Sequence, residues 1–543
     1  MTDTTSRVIG KTQVQGTDAR RFPWTILLVC VIVMLPVLAF PFGQDHSTFI
    51  RGGRAILGGG TLYVDFIDVK PPLIYILYGI ADLLSGGSTV VIRAFEVLYQ
   101  TLTIGVLLVV LRGVTQQRIW WWSTAIAYAL LYATLGYSQS GQPEALCALL
   151  IIGSLWCAMQ ESGRRRWIVL TLCMAAAFLL KYTLAVIGPA AMLVWLLRDG
   201  TRLSIRPISL SFLLAFAIVT LVALPFVLSD GFVHGWRTTM QYLEIYAAYP
   251  PLGIPFVTSA LKLIGTYFGD HVSLLFTLLA IGGAMSLLGT RLSAYDPTEE
   301  HHATKKASAF VSTTLVMFLV LAATVVLERK FSPYHFSRIF IPLTFLIGAG
   351  ATMWPTLRTS FRAAPTVVRF SIGTLAIMFL ALSPLPRYVN VVQLALRSIG
   401  NPQVYDAYLT RIEMPGFNFT DIRTLKNDLS ARMQQRGPLM LMSMMATPIL
   451  ADVSRTHASS FADSHLYFGV GAAPEWRALA AKEMREAGLV VVDTNDICEG
   501  VNLHERTSWQ SLQQDSTMMP ILTSQFVAVD TVACFIIFER ATW

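Results

Sequence analysis

The chain has 543 residues, of which 54% are hydrophobic and only 14% charged, with a mean hydropathy of +0.56. A soluble domain carries roughly a quarter charged residues, so this composition excludes an ordinary soluble globular protein. The net charge of +8 and pI near 9.2 do not imply nucleic acid as a partner, because the basic residues fall in loops that anchor a membrane protein and no basic–aromatic patch accompanies them.

A spanning helix needs about 20 mostly apolar residues, since no water in the hydrocarbon core can satisfy its backbone groups. Residues 1–21 are polar and carry Lys11, Arg20 and Arg21 ahead of the apolar run Phe22–Phe40. That run is too long for a signal-peptide core and no small-residue cleavage site follows, so it reads as an uncleaved first span. Further spans are expected at 90–111, 119–137, 144–160, 167–180, 182–198, 207–228, 271–289, 308–327, 338–354 and 368–384, the first covering 22–41. Segment 71–84 is too short to span and reads as a re-entrant or interfacial helix opened by Pro71 and Pro72. The apolar stretch 252–268 is a second segment of this kind.

The loops orient these spans. Basic segments at 112–118, 161–166, 198–206, 291–307 and 355–369 alternate with loops at 42–89, 138–143, around Lys181, 229–270 and 328–337. The positive-inside rule assigns the basic set, with the N-terminus, to the cytoplasm. Eleven spans then leave everything after 384 outside. The expected fold is a polytopic all-α membrane domain over 1–384 followed by a small extracytoplasmic α/β domain over 385–543, in a cell inner (plasma) membrane. Within the second part, 438–447, 488–496 and 532–540 read as short buried strands, with a helix over 473–488 between them. It has no Gly-rich phosphate loop, no metal-ligand spacing and no internal repeat. Cys498 and Cys534 lie in this region and could pair if it is oxidised; Cys30, Cys147, Cys157 and Cys173 sit in apolar runs as small packing residues.

Residues able to carry chemistry gather in the outer loops. The first of these holds Asp45 just after the first span, then Arg51 and Arg54 in a short helix, then Tyr63, Asp65, Asp68 and Lys70 before the Pro-Pro pair. Acids and bases at membrane depth are costly and mark functional sites by default, although Asp–Arg pairs in such a loop can also simply satisfy one another. Glu144 follows Pro143 at a helix N-terminus, where either catalysis or a capping role accounts for a carboxylate. The segment 327–343 collects Glu328, Arg329, Lys330, Tyr334, His335 and Arg338, a set suited to an anionic headgroup or to interfacial anchoring. Lys181, between two apolar segments, either joins a site or snorkels to the surface.

In their order, Asp45-His46, GGGTLYVDF, VKPPL, the Pro143-Glu144 turn, FLLKYT and KFSPYHFSRIFIPL resemble the motifs of the GT-C superfamily of membrane glycosyltransferases, in the branch of the protein mannosyltransferases and aminoarabinose transferases. The resemblance covers roughly residues 22–355. Two positions depart from it: His46 stands where the family often has an acid, and Pro-Tyr-His replaces His-Tyr-Tyr.

The resemblance implies a polyprenyl-phosphate-linked sugar as donor, the lipid bilayer as its medium, and an extracytoplasmic acceptor that is a protein, a lipid or an envelope glycan. The chemistry then requires a base for the acceptor hydroxyl and cations for the departing phosphate. Asp45 is expected as the base, with Glu144 and Asp65 as further catalytic carboxylates. Lys70, Arg51, Arg54, Arg338, His335 and Tyr334 are expected to cradle the phosphate, with Asp68, Tyr63 and Lys181 in support. A single base opposite the leaving group implies inversion, and several cations around a monophosphate require no metal or other cofactor. The alternative is a carrier or flippase for lipid-linked sugars, which needs charges along a path from both sides rather than on one.

Overall fold

The computed structural model describes residues 22–160, 163–199, 205–248, 299–329, 332–363, 365–381, 384–398, 401, 419–453, 459–469, 471–496 and 506–541, with positions 254, 256–258, 261, 282 and 283. The expected span at 271–289, the stretch 252–268 and Cys498 lie wholly or mostly outside these residues.

The first apolar run forms helix α1 (Trp24–Met34) and then tightens into a 3-10 turn over Leu35–Ala39. Pro36 and Pro41 cannot donate to a helical ladder, and the chain turns by 85° into α2 (Gln44–Leu57). Helix α3 (Pro72–Ser85) starts on Pro72, whose missing N–H costs nothing at the first helical position, and stops at Gly86 in the left-handed region (φ 62°). These two helices cross where both lack a side chain. A Cβ on Gly53 would lie 2.5 Å from the Gly79 Cα, so any larger residue would separate them.

The helices that follow are α4 (Thr89–Arg112), α5 (Arg118–Ala133), α6 (Pro143–Leu146), α7 (Ala148–Met159), α8 (Arg164–Leu180), α9 (Ile187–Asp199), α10 (Ile205–Val227), α11 (Phe232–Ala248), α12 (Glu299–Glu328) and α13 (Phe340–Ala351). Among the described residues, three helical segments are long and apolar enough to cross a membrane: Thr89–Arg112, Arg206–Val227 and Lys305–Glu328. The bent pair α1–α2 would make a fourth, and 72–85, 143–159 and 182–197 are shorter apolar helices. The expectation of eleven spans is therefore not reached by this criterion. Several predicted spans are broken or shortened by Pro and polar residues, as at α6, α7 and Lys181.

Beyond the helices Pro384–Ser398 and Phe419–Arg436, the chain forms a four-stranded sheet. Strands β1 (Leu439–Met442) and β2 (Leu489–Asp493) pair in parallel, and β2 pairs antiparallel with β4 (Phe535–Arg540). Strand β3 (Phe526–Val532) forms the edge beside β4. Three of these strands fall on the expected segments. The fourth, β3, is exposed along most of its length and lacks the apolar alternation that marks a strand. A helix over Pro474–Glu486 lies in the crossover between the parallel strands.

The α/β unit does not hang free. Phe49, Phe66, Ile74 and Tyr75 of the outer loop share one apolar core with Met440, Val490, Phe461 and Trp476. Burying apolar area at about 25 cal/mol per Å² holds the sheet against α2 and α3. The main chain is stitched as well: Ile67 N–H donates to the Ser460 carbonyl, and Ala462 N–H to the Ile67 carbonyl, both at 2.9 Å.

Candidate active site

Asp45 stands in the first turn of α2, turned by the Pro-rich bend toward the α/β unit. Its carboxylate lies 3.3 Å from the Lys70 ammonium and accepts a 2.9 Å hydrogen bond from the Gln142 amide. Lys70 is also 3.7 Å from Asp68 and sits over the Phe49 ring, 5.1 Å from its centroid. Burial alone would depress the Lys70 pKa, but the Asp45 and Asp68 charges outweigh it and raise the value above the ordinary one. This lysine therefore stays charged, and a fixed charge in a poorly solvated site binds anions better than one in water.

The segment 61–70 is built to hold that geometry. Tyr63 has φ 70°, a left-handed conformation that a bulky residue adopts only at a cost of about 1–3 kcal/mol. Its hydroxyl donates to the Lys70 carbonyl at 3.0 Å and meets the Tyr182 hydroxyl at 2.8 Å, so the strained residue fixes the backbone of the lysine. Tyr75 donates to Asp68 at 2.6 Å. Asp65 instead points outward, and its carboxylate accepts the Thr61 N–H at 2.7 Å to close the loop.

These groups line a cavity of about 180 Å³. Asp45, Asp68 and Lys70 form one wall, with Gln139 and Tyr334 beside them. Tyr242 and Tyr246 of α11, with Asp463 and His465 of the α/β unit, line the same cavity.

A second cluster lies behind Tyr334, whose ring packs on His335 at 4.3 Å. Arg338 and Glu144 are fully buried, 2.9 Å apart. Arg338 also pairs with Glu328 at 2.7 Å, and Lys181 bridges Glu144 at 2.5 Å and Glu328 at 2.9 Å. His335 Nδ1 is 2.7 Å from Glu328. Glu144, Glu328 and His335 bring ligand atoms within 4.8 Å of one another, a spacing suited to a metal ion, but Lys181 and Arg338 already neutralise the two carboxylates. A third network is wholly buried: Arg93 pairs with Glu96 at 2.6 Å and donates to the Pro41 and Tyr137 carbonyls. His46 accepts the Gly43 N–H at 3.3 Å through Nδ1, which leaves its Nε2–H to donate to the Ser140 carbonyl at 2.8 Å.

The structure thus brings Asp45, Asp68, Lys70 and Tyr334 together at the cavity, with Tyr63 beneath them. Glu144, Lys181, His335 and Arg338 form the neighbouring ionic cluster. Asp65, Arg51 and Arg54 do not line the cavity. Arg54 is committed to a two-pronged pair with Asp82 at 2.7 and 2.8 Å. Arg51 is buried and donates to the carbonyls of Ala462, Phe461 and Ser459 at 2.9, 3.1 and 3.2 Å, where it clamps the α/β unit. The basic character of both residues was legible, but their spacing on α2 turns them away from Asp45. Gln142, Tyr242, Tyr246, Asp463 and His465 were missed. Only Gln142, adjacent to the Pro143-Glu144 turn, carried a signal in the sequence. The Arg93–Glu96 pair was missed too, although two charges three residues apart inside an apolar helix are such a signal.

Fold and site together define a multi-pass membrane protein with a charged cavity under an α/β cap. Residues 69–228 match the family model described as dolichyl-phosphate-mannose-protein mannosyltransferase, which bears out over that stretch the GT-C glycosyltransferase resemblance read from the motifs. No curated protein matches the chain.

Proposed function

We propose that this chain is a membrane glycosyltransferase that moves a sugar from a polyprenyl-phosphate donor to an acceptor hydroxyl on the extracytoplasmic side. The observation that carries the reading is the cavity in which Asp45 and Lys70 lie 3.3 Å apart, within a chain whose residues 69–228 match a mannosyltransferase family. Asp45 takes the proton of the acceptor O–H as the oxygen attacks the anomeric carbon. The bond from that carbon to the phosphate oxygen breaks, and its electron pair leaves with the phosphate. The products are the glycosylated acceptor and the polyprenyl phosphate, with inversion at the anomeric carbon.

Lys70 meets the negative charge that grows on the leaving phosphate, and Tyr334 lines the same cavity. The Lys181–Arg338–Glu144–Glu328 cluster fixes the wall that Tyr334 and His335 belong to, its two cations balanced by its two carboxylates. A monophosphate leaving group needs no metal in this scheme. The isoprenoid tail stays in the bilayer alongside the helices.

The experiment is transfer by the purified full chain from a panel of polyprenyl-phosphate sugars to membrane fractions, with and without chelator. Transfer from at least one donor is expected, and it should survive chelation. Movement of a lipid-linked sugar across vesicles without any bond exchange would support a carrier instead.

A further inference from the structure

The α/β unit brings one turn, 459–466, to the cavity. It is fixed there by five bonds: three carbonyls of residues 459–462 are held by the buried Arg51, and two main-chain bonds join it to Ile67. Asp463, the next residue, faces the cavity from this anchored turn. Its Oδ1 accepts the His465 N–H at 2.9 Å, and its Oδ2 has no hydrogen-bond partner among the described residues. A carboxylate oxygen in such a place is an acceptor awaiting a donor.

Its surroundings say what kind of donor. The His465 ring is held by the Tyr242 hydroxyl at 2.7 Å. Tyr242 and Tyr246 stack with ring centroids 6.3 Å apart and 17° between planes. Tyr246 is half-buried and forms part of the lining, so an aromatic ring and a carboxylate with a spare acceptor line one cavity. A sugar ring presents that complement: hydroxyls at its edge and C–H groups on its face. The subsite also lines the cavity that Lys70 lines, where the donor phosphate is placed, and the donor sugar is joined to that phosphate by one oxygen. The acceptor has no such tie to Lys70.

We propose that Asp463 and Tyr246 form the subsite for the donor's sugar ring, so that the α/β unit contributes to donor recognition and completes the site begun by Asp45 and Lys70. This rests on the glycosyl-transfer reading above. Asp463 accepts hydrogen bonds from ring hydroxyls, Tyr246 covers the C–H face, and Tyr242 with His465 holds the turn in place.

The test compares binding of a polyprenyl phosphate with and without its sugar, the sugar being the one used in transfer, to the full chain in nanodiscs. Asp463→Asn keeps the acceptor for the His465 N–H and should fold. It should weaken binding of the sugar-bearing lipid about tenfold and leave the bare lipid within about twofold. Tyr246→Ala, at a half-buried position, should behave alike. Equal losses for both lipids would make Asp463 a structural residue, and unchanged binding of both would remove it from the site; either overturns the subsite. A wild-type chain that binds neither lipid brings down the transferase reading and the subsite with it, whereas intact transfer by both variants rejects the subsite alone.

Discussion

Lys70 is surrounded by more negative charge than it can neutralise, with Asp45 at 3.3 Å and Asp68 at 3.7 Å. A phosphate entering this site must compete with those carboxylates, and the lysine is the residue that makes competition feasible. Lys70→Ala should therefore weaken donor binding by about 1.5–3 kcal/mol, the usual scale for a lost charge-assisted contact. The measurement is donor affinity for the folded variant beside wild type, and unchanged affinity would remove Lys70 from the phosphate site. Two of the decisive residues, Asp45 and Lys70, were legible because ionisable groups at a membrane surface are expensive and stand out from an apolar sequence. Asp463 was not legible, because an Asp in a polar tail is unremarkable until the fold closes it over a cavity. Arg51 misled for the opposite reason: a cation near the site looked like a phosphate ligand, whereas its fork of donors satisfies three backbone carbonyls.

At the scale of elements, the turn 459–466 and the strand ends of the α/β unit carry buried acids. The Asp463 carboxyl is pushed up to about 7, chiefly by burial and then by the Asp68 charge, against the opposing pull of the His465 N–H and Lys70. Burial and the neighbouring Asp496 push Asp493 up to about 7 as well. Between the ordinary carboxylate value of 3.8 and about 7, the folded chain holds protons that the unfolded chain has released. The contribution of these two acids to stability therefore falls as pH rises through this window and levels off above it. Thermal unfolding in detergent should therefore differ between the full chain and Asp463→Asn: from pH ~4 to ~7 the wild type should lose more stability, or gain less, than the variant. Parallel profiles of the two chains over that range would contradict the raised pKa of Asp463. The sheet was largely legible, since β1, β2 and β4 are short apolar runs between polar turns. The exposed edge strand β3 was not, because its pairing with β4 rather than its own pattern defines it. The count of eleven spans is not confirmed among the described residues, where three helices are long and apolar enough to cross a membrane and Pro36, Pro41 and Lys181 interrupt others.

Across the whole molecule, the ends of α4, α7 and α12 meet at a cavity lined by Gly113, Val114, Gln160 and Lys306. Residues in or next to three of the basic segments assigned to the cytoplasm thus line one cavity of the helical part. Asp45, Glu144, Lys181 and Glu328 gather elsewhere, beneath the α/β unit. We propose, from the positive-inside rule, that the N-terminus is cytoplasmic and the α/β unit external. A reporter fused after Trp543 should be active outside the cytoplasm, and one inserted in loop 291–307 inside; the reverse pattern would place the cavity on the side where nucleotide sugars, not flipped lipid donors, are at hand. The central claim is that Asp45 takes the acceptor's proton in this external cavity. Asp45→Asn preserves shape and the contact with Gln142 but removes basicity. Measured beside Asp65→Asn and Asp68→Asn in the full chain, it should lower the rate of sugar transfer by about 10²-fold or more while donor binding persists, and Asp65→Asn, whose carboxylate only closes its own loop, should transfer nearly as wild type. Near-normal transfer by the Asp45→Asn chain would contradict the account.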